Sequence, residues 1–177
     1  MPSWRLHRKW AMRLGIRIDV ARIVDETIDE ELRDIRGREL IEKLHERGLT
    51  LDEDVVKAII LHHIMDCLRD LIQGLGRKPT KAIIEKLGSR QLVEDASAIA
   101  IERGYVTFFG PLSLWRFTKI AESLKPYSDQ LVQDIMDELA LKGALKDVGT
   151  LFRVKKKFVR WYAQKVPEIK KFFPFID

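Results

Sequence analysis

Within the run LHHIMDCLRD three side chains have the types and spacing of metal ligands: His62, His63 and Asp66. On a helix His62 and Asp66 stand four apart and meet, and His63 lies three residues before Asp66. An imidazole beside a carboxylate can hold a divalent ion, as in the cores of helical bundles. A catalytic ion normally needs at least three protein ligands, and no spacing brings His7 or His45 close. The plainer reading puts His63 on an apolar stripe with Ile59, Ile60 and Cys67. It makes His62 and Asp66 a surface pair. No metal and no other cofactor is therefore expected, and His62, His63 and Asp66 stand as the candidates against that expectation.

Little else offers catalysis. Gly74, Gly76 and Gly88 match no Walker or dinucleotide spacing, and no serine sits in a nucleophile elbow. The adjacent His-Asp dyad of HD-type phosphohydrolases is absent. One cysteine, Cys67, excludes an internal disulfide and a Cys-based zinc cluster, and fits a reducing compartment. No apolar run is long enough to span a bilayer or to serve as a signal peptide, so a cytoplasmic protein with no membrane contact is expected. The chain has no asparagine and 33% charged residues, a composition that suits a thermophile.

The second chemistry on offer is charge. The formal net charge is +5, but its placement matters more than its sum. Residues 1–18 carry five cations and no acid, whereas residues 19–70 carry eight cations against fifteen acids. Residues 153–177 carry eight cations against two acids. Basic ends of this kind suit a polyanion, an acidic partner, or the chain's own acidic block. Arg5, Arg8 and Lys9 interleave with Trp4 and Trp10. Their cationic side can meet phosphate while the indoles pack on neighbouring helices.

The elements that must position these groups are mostly helices. Apolar spacing predicts helices over 4–14, 19–35 and 37–47. Thr50 and Glu53 form a capping box that opens a long helix to about Gln73. The GLGRKP run at 74–79 breaks the pattern and marks a boundary between an N-terminal helical subdomain, 1–76, and a second part, 77–177. There, helices are expected over 80–87, 89–103, 113–124 and 128–142. A strand is expected over Tyr105–Phe109, and a hairpin around Asp147-Val148-Gly149. A last helix over 157–172 is interrupted near Pro167.

The order from Ser89 to Lys157 is helix, strand, helix, helix, strand, turn, strand. The text GPLSLWRFTKIAESL and SDQLVQDIMDELALKGALKDVGTLFRV resembles the winged helix-turn-helix superfamily over these residues. The fold class that follows is mainly α: an N-terminal helical subdomain, a winged helix with a small β-hairpin wing, and a C-terminal helix. The resemblance implies non-catalytic binding of nucleic acid, with double-stranded DNA as the partner, in a regulatory or chromosome-maintenance role. Base contacts would come from Ser128, Gln130 and Gln133. Phosphate contacts would come from Lys146, Arg153, Lys155, Lys156, Lys157 and Arg160, joined by Arg5, Arg8 and Lys9. The third helix departs from that pattern, because it carries Asp129, Asp134, Asp137 and Glu138. Hence a second expectation: a module whose acidic helix binds a protein partner, or a homodimer. The third is a metal-dependent hydrolase built on His62, His63 and Asp66.

Overall fold

The first amides of a helix have no partner within it, and side chains supply one at two of the helix starts. The structure, a computed structural model, describes residues 3–30, 35, 37–104, 111–151 and 154–176. In it α1 spans Trp4–Arg13, α2 Ile18–Ile28, α3 Gly37–Glu46, α4 Glu53–Leu75 and α5 Arg77–Leu87. They are followed by α6 Ser89–Glu102, α7 Pro111–Leu124, α8 Ser128–Leu141 and α9 Lys156–Lys165. Two 3-10 helices, Lys125–Tyr127 and Pro167–Phe172, complete the described elements.

Ser3 caps α1 by accepting from the Leu6 amide. The expected capping box at Thr50 is displaced by two residues. Asp52 is the cap, its carboxylate accepting from the Val55 amide at 3.0 Å. An anion there also meets the positive end of the helix dipole, which a threonine hydroxyl does not.

The helix α4 is the axis of the molecule. Ile59, Ile60, Leu61, Ile64, Met65, Leu68, Leu71 and Ile72 are all buried, so its apolar surface runs around most of its circumference. It packs against α1 and α2 on one side and α6, α7 and α8 on the other. No described helix is long and apolar enough to cross a membrane.

The β-hairpin wing is not present, and with it the winged-helix fold class is overturned. Among the described residues there is no strand. Residues 144–151 instead form a strap across the junction of α4 and α5. The Arg77 amide donates to the Lys146 carbonyl at 2.7 Å, and the Lys78 amide to that of Asp147 at 2.9 Å. In return Gly149 donates to the Leu75 carbonyl at 2.9 Å and Leu151 to that of Gly74 at 3.2 Å. The last carbonyls of α4 and the first amides of α5 are groups that a helix cannot satisfy itself. The strap spends its backbone on them rather than on a hairpin partner. Glycine makes the approach possible. A Cβ on Gly149 would overlap the Gly74 carbonyl, and one on Gly76 would overlap Val148 and Gly149. Gly76 also sits at φ +89°, where side chains are strained. The strand expected at Tyr105–Phe109 lies outside the described residues.

Candidate metal centre

The His62 ring is fully buried, not on the surface, because α2 and α1 close over that side of α4. The three helices bring together residues that lie far apart in sequence: His7 from α1, Asp25 from α2, and His62 and Asp66 from α4. Asp29, the C-cap of α2, joins them. The His7 and His62 rings lie 4.3 Å apart at their centroids. His63 is also buried, with its ring edge-on to His62 at 5.8 Å.

The hydrogen-bonding pattern distinguishes the two nitrogens of His62. Nδ1 stands 2.9 Å from Asp25 Oδ1 in good hydrogen-bond geometry. A carboxylate can only accept, so Nδ1 carries the proton and donates. Nε2 is buried without a hydrogen-bond partner. It faces two carboxylates, Asp66 Oδ2 at 3.3 Å and Asp29 Oδ1 at 3.5 Å. A lone pair turned toward two anions in a dry site is repulsive unless a proton or a cation stands between them. Burial disfavours charge on His62, but the field of Asp66, the hydrogen bond to Asp25 and the nearby carboxylate of Asp29 outweigh it and hold the imidazole well above its ordinary value. Burial likewise acts to raise Asp25 and Asp66, and the neighbouring histidines more than offset it, leaving both below the usual carboxylate range.

The spacing fits an ion. Ligand atoms about 2.1 Å from a tetrahedral ion stand about 3.4 Å from each other. The two Nε2 separations match that, and Asp29, His62 and Asp66 offer atoms all within 4.8 Å of one another. The same holds for His7, Asp25 and His62. In the first trio Asp25 would then be the outer partner that orients the ligating imidazole. Asp29 is oriented in the same manner, since Trp4 Nε1 donates to its other oxygen at 2.8 Å. His7 stands by with both ring nitrogens buried and without hydrogen bonds, Nδ1 3.4 Å from Asp25 and Nε2 3.7 Å from Asp66. The Asp66 side chain is 22% exposed, so this is the edge of the cluster that meets water.

Of the twelve residues expected to touch nucleic acid, six have partners for their side chains. Lys155 and Lys157 both donate to Glu102. Lys9 pairs with Asp134 at 2.6 Å and Arg8 with Glu26 at 3.7 Å, while Arg5 is exposed. Ser128 is buried and donates to the Lys125 carbonyl at 2.7 Å. Gln133 donates to Asp137 at 2.7 Å, and Gln130 is exposed. Lys146 belongs to the strap, with its side chain in solvent as are those of Lys156 and Arg160. Arg153 lies outside the described residues.

Two of the four acids of α8 are engaged by α1 and its cap. Glu138 accepts from the Ser3 amide at 2.7 Å and the Ser3 hydroxyl at 2.6 Å. Asp134 accepts from Lys9 and, at 3.1 Å, from Trp10 Nε1. One ion pair and three hydrogen bonds from neutral donors thus fasten α1 and its cap to α8 within one molecule.

His7, Asp25 and Asp29 escaped sequence reasoning because they are brought in by packing rather than by spacing along a helix. One signal was available: Asp25 and Asp29 are themselves four apart on α2, in line to face a His-bearing neighbour. The comparisons add no relative, since no family model, curated protein or solved structure matches this chain.

Proposed function

We propose that this protein binds a divalent metal ion in the buried cluster between α1, α2 and α4. His62 Nε2, Asp29 and Asp66 are the ligands, and Asp25 positions His62. The observation that carries this reading is the buried Nε2 between two carboxylates at the spacing of a coordination shell, where an ion can take the place of the proton. One nitrogen and two carboxylate oxygens suit zinc, manganese or iron(II) better than calcium or magnesium. Three protein ligands leave a coordination position, and the part-exposed Asp66 puts it nearest to water, so an ion there supplies a Lewis acid close to the surface. Binding would also tie α1 and α2 to the central helix, because ligands and orienting groups come from all three.

The test uses full-length protein carrying no His tag, stripped with a chelator and titrated calorimetrically with zinc chloride and manganese chloride separately. Saturable binding is expected for at least one of them. Asp29→Asn should weaken it at least tenfold without unfolding, because the amide can donate to the Nε2 that the ion would otherwise occupy. His62→Gln should do the same. A wild-type protein that binds neither ion at 0.1 mM (roughly −5.5 kcal/mol) removes the proposal. So does undiminished affinity in both variants.

A further inference from the structure

A second site lies on the opposite end of the chain's charge distribution. Helix α5 and the C-terminal 3-10 helix enclose a groove of about 470 Å³. Its walls carry Lys78, Lys81 and Lys86 from α5 and Lys171 from the 3-10 helix, against Glu85 and Glu168. Four cations against two carboxylates leave a lining charge of +2. Ala82 and the half-buried ring of Phe172 supply its apolar lining, with Lys171 Nζ 5.0 Å from the centroid of that ring.

Of the lysines singled out by sequence, Lys155 and Lys157 are held by Glu102 and Lys9 by Asp134, while Lys146 and Lys156 are exposed. In the groove no described residue forms an ion pair with Lys81, Lys86 or Lys171. Lys78 has one exposed partner, Asp147 at 3.5 Å. Lys165 and Lys170, close to Lys171 in the chain, are also exposed. From Lys78 to Lys86 the lysines extend about 12 Å along the axis of α5. That matches three to four nucleotides of a helically stacked strand at about 3.4 Å each.

We propose that this groove binds single-stranded nucleic acid, with Lys78, Lys81, Lys86 and Lys171 on the phosphates and Phe172 stacking on a base. Concavity selects a strand over a flat lipid surface or a duplex. An aromatic ring among cations is the arrangement that tracks a strand without reading its sequence. The inference is independent of the metal centre, which involves none of these residues.

The experiment is fluorescence anisotropy of a labelled twelve-residue oligothymidylate with the full chain, repeated with a metal chelator present. Four neutralised phosphates give a slope of about −2.8 in log affinity against log salt, so affinity should fall roughly 50-fold from 50 to 200 mM salt. Lys81→Glu/Lys86→Glu/Lys171→Glu should lose at least tenfold in affinity at 50 mM and most of the salt slope. Lys155→Glu/Lys157→Glu should change affinity less than threefold. Phe172→Ala, checked for folding by circular dichroism, should lose about tenfold. The proposal is overturned if the groove reversal leaves affinity unaltered, or if binding ignores salt. It is equally overturned if the protein binds phosphatidylserine vesicles and no oligonucleotide. Loss of binding on chelation alone would assign the contact to the metal centre instead.

Discussion

Replacing Gly149 by alanine tests whether residues 144–151 are a docked strap or a projecting ribbon. In the structure the new methyl group would overlap the Gly74 carbonyl and press on that of Gln73. Both belong to the backbone of the buried central helix, so neither can swing aside as a long side chain would. Overpacking of that kind costs about 1–3 kcal/mol. To relieve it the strap must lift, which loosens the bonds from Gly149 to Leu75 at 2.9 Å and from Leu151 to Gly74 at 3.2 Å. Each is worth about 1 kcal/mol. The expected loss is therefore about 2–5 kcal/mol. For a chain of this length that lowers the melting temperature by roughly 4–20 °C. Val148→Ala, a change at a partly exposed neighbour, is the control and should shift it by less than 2 °C, or about 0.5 kcal/mol. Urea unfolding followed by circular dichroism reads both. A Gly149→Ala protein within about 0.5 kcal/mol of wild type would refute the docked strap, since a ribbon in solvent has room for a methyl group.

Two further perturbations probe the first half of the chain. In chelator-treated protein His62 lies well above its ordinary 6.5, so the stability it contributes is complete below pH 6.5 and is lost as pH rises through the raised value. Asp25 and Asp66 lie below 3.8, so their contribution is complete above pH 3.8 and is lost as pH falls through the lowered values. Thermal melts should thus be highest between these limits and decline toward alkaline pH. Zinc at pH 8 should restore the loss. A metal-free melting temperature that climbs steadily from pH 6 to 9 would contradict the charged His62. Separately, Asp134→Asn/Glu138→Gln removes the anchors of α1 on α8 and should cost about 1–2 kcal/mol. Amide hydrogen exchange over residues 4–13 should accelerate, and the fully buried Trp10 should shift its fluorescence toward that of a solvated indole. Unchanged exchange in α1 would show that apolar packing alone holds it.

How much was legible beforehand depended on whether the cause was local. The helix over 4–14 was readable because Leu6, Trp10 and Leu14 repeat at helical spacing. The break in the last helix was readable because Pro167 lacks an amide. The end of α3 before Gly48 follows from a glycine at φ +82°. The cap of α4 was misassigned because Thr50 and Asp52 are both competent, and the choice rests on which backbone amide each finally faces. The wing was misread for a deeper reason. The alternation in TLFRV and the glycine turn are consistent with a hairpin. Nothing in the sequence states that the free ends of α4 and α5 would claim those backbone groups first.

The sequence by itself determined that this chain is built from helices, where most of them begin and end, and that His62 meets Asp66. Those are consequences of a 3.6-residue period and of the chemistry of glycine, proline and caps, which act over a few residues. Only the tertiary structure decided that His62 is buried and that His7, Asp25 and Asp29 surround it. It alone decided that Lys9 of the basic first helix meets Asp134 of α8, and that Lys81, Lys86 and Lys171 gather in one groove without an ion pair to any described residue. Those outcomes depend on which helix faces cover one another, and that is set by the whole core at once.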